Sequence, residues 1–141
     1  MEAILQDFIR TLQVGESRRF KNLEVFPLFP SRNGGPDFLT LKQALEEKKI
    51  VITETTESGS VPQLKVTNRG NEFVLLIDGE ELMGAKQNRV LNTSILIKGQ
   101  SEITIPVSCT EHGRWSYMSR EFGDSELVMA PLIRAAKMQS V

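Results

Sequence analysis

Two hydrophobic periods divide this chain. In residues 3 to 12, AILQDFIRTL, Ile4, Leu5, Phe8, Ile9 and Leu12 recur at helical spacing, which predicts a short amphipathic helix ended by Gly15. NLEVFPLF, 22 to 29, alternates instead; with Pro27 inside it, an edge strand is expected. SRNGGPD is the clearest loop. After it, Leu41, Ala44, Leu45 and Lys48 share one face of a helix over 37–49, and the Thr40 hydroxyl is placed to cap it. From Ile50 to Cys109 the period changes to two. IVITET, PQLKVTN, EFVLLI, RVLNTSILI and EITIPVSC are rich in β-branched residues and separated by ESGS, NRGN, DG and KGQS, so an antiparallel sheet is predicted. FVLLI is apolar on both faces, as a central strand would be. The DG of Asp78 and Gly79 suits a hairpin turn. The tail from Ser125 predicts a final helix with Pro131 in its first turns. The expected class is α+β: an antiparallel sheet, sandwich-like or a partial barrel, with flanking helices.

Parity narrows the sheet further. If Ile95 and Ile97 share a buried face with Ile103 and Ile105, a one-residue slip would turn a whole apolar set to solvent. Pairing Ile97 with Ile103 then sets Leu91 opposite Cys109 and Arg89 opposite Glu111. On the other face Asn92 meets Ser108 and Asn88 meets His112. Two polar segments distant in sequence, EELMGAKQNR (80–89) and CTEHGRW (109–115), are thereby brought to one end of the sheet. Gln87 and Arg89 point inward, Lys86 and Asn88 outward.

Composition then removes whole classes. The 141 residues suit a single domain over 1–141, and the abrupt end at KMQSV raises the expectation of a fragment or shortened form of a longer protein. With 17 basic and 18 acidic residues the formal charge is −1, so no broad positive field is available for nucleic acid or anionic lipid. One cysteine and one histidine give neither a disulfide nor a metal-ligand pair, and no apolar run is long enough to span a membrane; a cytoplasmic protein is expected.

The candidate site gathers Glu80, Glu81, Gln87, Asn88 and Arg89 with Cys109, Glu111, His112, Arg114 and Trp115. Arginine offers a planar fork for phosphate, the amides offer paired donors and acceptors, and Trp115 offers a stacking face. The plainer readings stand beside these. Arg89 and Glu111 would form a structural pair, Cys109 would be a small buried residue, and Trp115 would be a core plug. His112 has no Ser or Asp partner at a diagnostic spacing.

The runs GSVPQLKVTNR, LLIDGEELMGAKQNRVLNTSILI and EITIPVSCTEHGRW resemble the central motifs of the domain family associated with ADP-ribosylglycohydrolases and rhodanese-phosphatases, over roughly residues 23 to 138. Matching motif positions are Gly79, Glu80, Glu81, Gly84, Gln87, Asn88, Arg89, Asn92, Cys109, Glu111, Gly113, Arg114 and Trp115; His112 departs, since glutamine is common there. The resemblance implies a neighbourhood of NAD and ADP-ribose metabolism, an inference from the company such domains keep.

Three expectations follow. The first is binding of a small anionic or nucleotide-derived ligand, related to ADP-ribose or NAD, by Glu80, Gln87, Asn88, Arg89, His112, Arg114 and Trp115. The second is hydrolysis of a phosphoester or glycosidic bond with Glu80, Glu81 or Glu111 as general base, Glu81 and Glu111 being the main candidates, with paired acids able to hold a divalent ion. The third is a protein-interaction module that docks a partner or a second copy. Nothing in the pattern names a cofactor.

Overall fold

The computed structural model describes residues 2–31, 35–56, 62–110, 113 and 116–138. The expected turn ESGS and the centre of the loop SRNGGPD lie outside them. The chain divides into two compact units, Met1–Pro36 and Asp37–Val141.

The first unit holds helix α1 (Glu2–Arg10) and two antiparallel strand pairs. β1 (Leu12–Val14) lies on β4 (Leu28–Pro30), and β2 (Arg18–Phe20) on β3 (Leu23–Val25). The helical stripe of α1 is present, yet none of its side chains is buried. Leu12 belongs to a strand and not to the helix. The strand expected over 22–29 is interrupted before Pro27, whose carbonyl accepts the Gly15 N–H at 2.8 Å. Two three-residue strands result.

The second unit begins with β5 (Phe38–Thr40), so the helix expected over 37–49 is confined to α2 (Leu41–Glu46). Thr40 caps it as expected: its hydroxyl accepts the Gln43 N–H, and the Gln43 side chain accepts the Thr40 N–H in return. There follow β6 (Ile50–Glu54), β7 (Gln63–Asn68), β8 (Phe73–Leu76), β9 (Glu80–Gly84), β10 (Arg89–Leu91), β11 (Ile95–Ile97), β12 (Ser101–Cys109), β13 (Phe122–Val128) and α3 (Pro131–Met138). The class is α+β with mostly antiparallel sheets. The larger sheet has the order β13-β9-β10-β12-β7-β6 and curls into a half-barrel. Its outermost strands would lie roughly 24 Å apart in a flat sheet. Here they meet at a bridge between Thr53 and Glu121. The smaller sheet is β11-β8-β5, with β5 and β8 parallel. FVLLI is a central strand, as expected, but of this small sheet; Val74 and Leu76 are fully buried.

The tail and the RVLNTSILI segment depart from expectation. Ser125 to Val128 continue β13, and Pro131 is the first residue of α3, where its missing N–H costs nothing. RVLNTSILI is two strands in two sheets. Its polar centre makes side-chain bonds to other segments in place of a continuous ladder: Asn92 Oδ1 accepts the Ser108 hydroxyl at 3.0 Å, and Ser94 Oγ accepts the Asp78 N–H at 3.0 Å. β11 therefore pairs with β8, not β12, and the pairing of Ile97 with Ile103 is overturned. β10 does pair with β12, but with Leu91 on Val107 and Arg89 on Cys109, two residues from the predicted register. An even shift keeps every side chain on its predicted face. Asp78 and Gly79 form a turn, yet β8 and β9 are not partners; β9 lies between β10 and β13.

The inner face of the half-barrel carries Ile50 and Ile52 of β6, Leu64 and Val66 of β7, Leu82, Leu91, Ile105 and Val107, sealed by Leu41 and Ala44 of α2 and by Phe122. Leu64 sits at the centre of this packing with no exposed surface. Leu64→Ala removes its contacts and leaves a cavity, and is expected to lower stability by about 2–5 kcal/mol in urea denaturation.

Candidate functional site

The inward row of β6 runs Ile50, Ile52, Glu54, so strand alternation carries a carboxylate into the end of an apolar row. Arg89 of β10 points to the same interior and is fully buried. In a flat sheet these strands, three positions apart, would stand about 14 Å from one another. The curl brings Arg89 Nη2 to 3.8 Å from Glu54 Oε1. Gln87, also buried, accepts from Arg89 Nη1 at 2.6 Å and so fixes the guanidinium. The inward orientation predicted for Gln87 and Arg89 is thus found. Among the partners of Arg89 is Glu54, which sequence reasoning passed over, although the alternation in IVITE already pointed it inward.

The turn Gly84-Ala85-Lys86-Gln87-Asn88 grips the segment 117–121. Gly84 has φ +132, and a Cβ there would stand 2.6 Å from Ser119 Oγ and 2.8 Å from the Glu121 carbonyl, so only glycine permits the approach. The buried Ala85 donates its N–H to Ser119 Oγ at 3.0 Å, and its carbonyl accepts the Met118 N–H at 2.9 Å. Lys86 Nζ lies 4.9 Å from the centre of the Tyr117 ring. Asn88 Oδ1 accepts the Gly84 N–H, closing the turn, and the Asn88 carbonyl accepts the Thr110 N–H at 3.2 Å.

The gripped segment walls an open cleft of about 730 Å³. Thr53, Glu54 and Thr56 line it from β6 and just beyond; Tyr117, Met118, Ser119 and Arg120 line it from the other edge. The cleft straddles the seam where the outer strands meet, and the volume lies within the range of about 300–1,000 Å³ usual for small-molecule sites. Glu54 belongs to both structures, facing the cleft and holding Arg89.

The remaining predicted residues do not join this cluster. Glu81 alternates to the outer face, half-buried, and accepts the Thr110 hydroxyl at 2.6 Å. Glu80 stands at the far end of β9, where its Oε2 accepts the Ile77 N–H at 2.7 Å. Burial pushes its carboxyl above the usual range, the Ile77 N–H pulls it back and Asp124 pushes it up again. Near it, Lys137 of α3 donates to Asp78 at 2.9 Å and to the Leu91 carbonyl at 2.6 Å, and Arg134 donates to the Asp78 carbonyl at 3.0 Å. Cys109, expected to be buried, is exposed at the last position of β12. Glu111, His112, Arg114 and Trp115 lie outside the described residues. Among the described residues there is no cluster of His, Cys, Asp and Glu able to hold a metal ion, and no helix is long and apolar enough to cross a membrane.

Fold and site together define a half-barrel α+β domain with a cleft at its seam. The chain belongs to the ARG and Rhodanese-Phosphatase-superfamily-associated Protein domain family, whose profile matches residues 11–141. This is the family that the GAKQNR motif and its neighbours resemble, over a longer span. No curated protein and no solved structure matches the chain.

Two predictions follow from the buried charges. Arg89→Leu removes one partner of a buried ion pair and is expected to cost about 3–5 kcal/mol. Adding Glu54→Leu removes the other charge, so the double variant should be more stable than Arg89→Leu alone in urea denaturation. For Glu80 the folded pKa exceeds the unfolded one, so its contribution is fully present below the ordinary value of about 4.5 and is lost as pH rises through the folded value. The Tm of Glu80→Gln minus that of wild type should therefore increase from pH 4 to pH 7.

Proposed function

We propose that this domain binds a small anionic, nucleotide-derived ligand, with ADP-ribose as the representative, in the cleft at the half-barrel seam. The observation that carries the reading is the composition of that cleft. An Arg120 guanidinium and a Tyr117 ring stand on one wall, the hydroxyls of Thr53 and Thr56 on the other, and the Glu54 carboxylate is held in place by Arg89. Guanidinium suits a phosphate, an aromatic face suits a base, and the hydroxyls and carboxylate suit a sugar. The family's name supports it from another side, since it associates these domains with ADP-ribosylglycohydrolases. A formal charge of −1 favours a small ligand over nucleic acid, and a lone exposed cysteine fits a cytoplasmic setting.

In this reading Gln87, Asn88 and Arg89 act from behind the cleft. Gln87 accepts from Arg89, which pairs with Glu54, and Asn88 closes the turn that carries the 117–121 wall. Arg120, exposed on that wall, meets the anion directly.

Isothermal titration with ADP-ribose tests the reading. Wild type should bind, and Arg120→Ala, a surface change that leaves the core intact, should weaken binding about tenfold or more through loss of a charge-assisted contact. Absence of heat at millimolar ADP-ribose would remove the reading.

A further inference from the structure

We propose that the first unit, Met1–Pro36, is a dimerisation module whose apolar surface is covered by the same surface of a second copy of this chain. The cleft and its ligand play no part in this. The unit has apolar faces and no core: among its described residues none is buried.

Each element of the unit is one-sided. Along α1, Ile4, Leu5, Phe8 and Ile9 fall within one stripe, with Glu2, Gln6 and Arg10 on the opposite side. The stripe faces solvent, Ile4 with 77% of its surface exposed. Register makes the strand pairs one-sided too, because directly opposed residues share a face. Phe20 stands opposite Leu23 and Val25 opposite Arg18, while Arg19 and Glu24 oppose each other on the reverse side. In the other pair Val14 stands opposite Leu28. Phe20, Leu23, Val25, Val14 and Leu28 are all more than half exposed. A domain buries such faces between two packed layers. Here there is one layer, and a two-stranded ribbon by itself is marginal in water.

Area and charge choose the occupant. Eleven large apolar side chains among the described residues of this unit are each more than half exposed. At roughly 150 Å² for a large side chain they leave on the order of 1,000 Å² uncovered. A soluble monomer rarely exposes an apolar patch beyond about 300–600 Å², and a stable interface takes about 800 Å² from each partner. That surface is enough for a dimer. Residues 2–31 carry Glu2, Asp7, Glu16 and Glu24 against Arg10, Arg18, Arg19 and Lys21, so their formal charge is zero and two copies meet without net repulsion. A lipid surface fits worse: helices that lie on membranes carry Lys and Arg on their polar side, and the polar residues of α1 set Glu2 and Asp7 against Arg10 alone. A second copy matches the surface in kind and size, and a two-fold axis joins it to its like, the commonest symmetry of soluble oligomers.

Size-exclusion chromatography with light scattering on the full chain tests the inference. At micromolar concentration the wild-type mass is expected at twice 15.8 kDa, with a Tm that rises with protein concentration. Phe8→Asp on α1 and Phe20→Asp on β2 each put a charge into the covered surface and should bring the mass down to that of one chain. Arg19→Gln, on the reverse side of β2, should leave the dimer intact. Two aspartates on different elements separate loss of the interface from loss of one element's structure. A wild-type chain of single mass overturns the dimer, and cosedimentation of that monomer with phosphatidylserine vesicles would assign the surface to lipid instead. A dimer that both aspartate variants retain also overturns it, since the contact would then lie elsewhere.

Discussion

The rest of this structure depends on one ion pair inside the half-barrel. Taking a carboxylate and a guanidinium out of water costs several kcal/mol per ion, and that cost is offset only when each finds the other. Glu54 and Arg89 sit on strands that are not neighbours, so their meeting requires the sheet to curl. The curl places the two outer strands at one bridge and leaves a cleft along that seam. The pair also puts a carboxylate at the edge of the core, where it lines the cleft.

The second constraint is the turn that joins β9 to β10. Its backbone carries φ +132 at Gly84 and φ +41 at Ala85, values that open its amide and carbonyl to the 117–121 segment. Ser119 accepts from Ala85 and donates to the Glu121 carbonyl, tying that segment to the start of β13. GAKQNR is thus less a ligand-binding run than the support of one. The Gly84 and Ala85 backbone places the wall, Asn88 closes the turn, and Gln87 bonds the Arg89 that pairs with Glu54. Charged and amide residues crowd there because one turn serves the cleft wall and the buried pair together.

Glu80 and Glu81 illustrate how adjacent acids can be separated by strand alternation. Read as a loop, EE is a pair of carboxylates with one environment. As the start of β9, they face opposite sides of a sheet: Glu81 bonds Thr110 on the outer surface, and Glu80 lies inward among the backbone of Ile77 and the charge of Asp124. Two carboxylates acting on one bond must converge, and these diverge.

Much of this was legible in the residues themselves. Alternation located β6, β7, β8 and β12, the Thr40 cap began α2, and parity turned Gln87 and Arg89 inward, all of which depend on nearest neighbours along the chain. Strand partners were not legible: the polar NTS centre of RVLNTSILI ends one strand and starts another through bonds to Ser108 and Asp78, and the choice of β8 over β12 for Ile95 and Ile97 is made by the whole core. The ion pair divides the same way. Sequence determined that Arg89 and Glu54 each face inward, because side chains along a strand alternate. Only the tertiary structure decided that they face each other, because the curvature that closes the gap between β10 and β6 belongs to the sheet as a whole and to no segment of it.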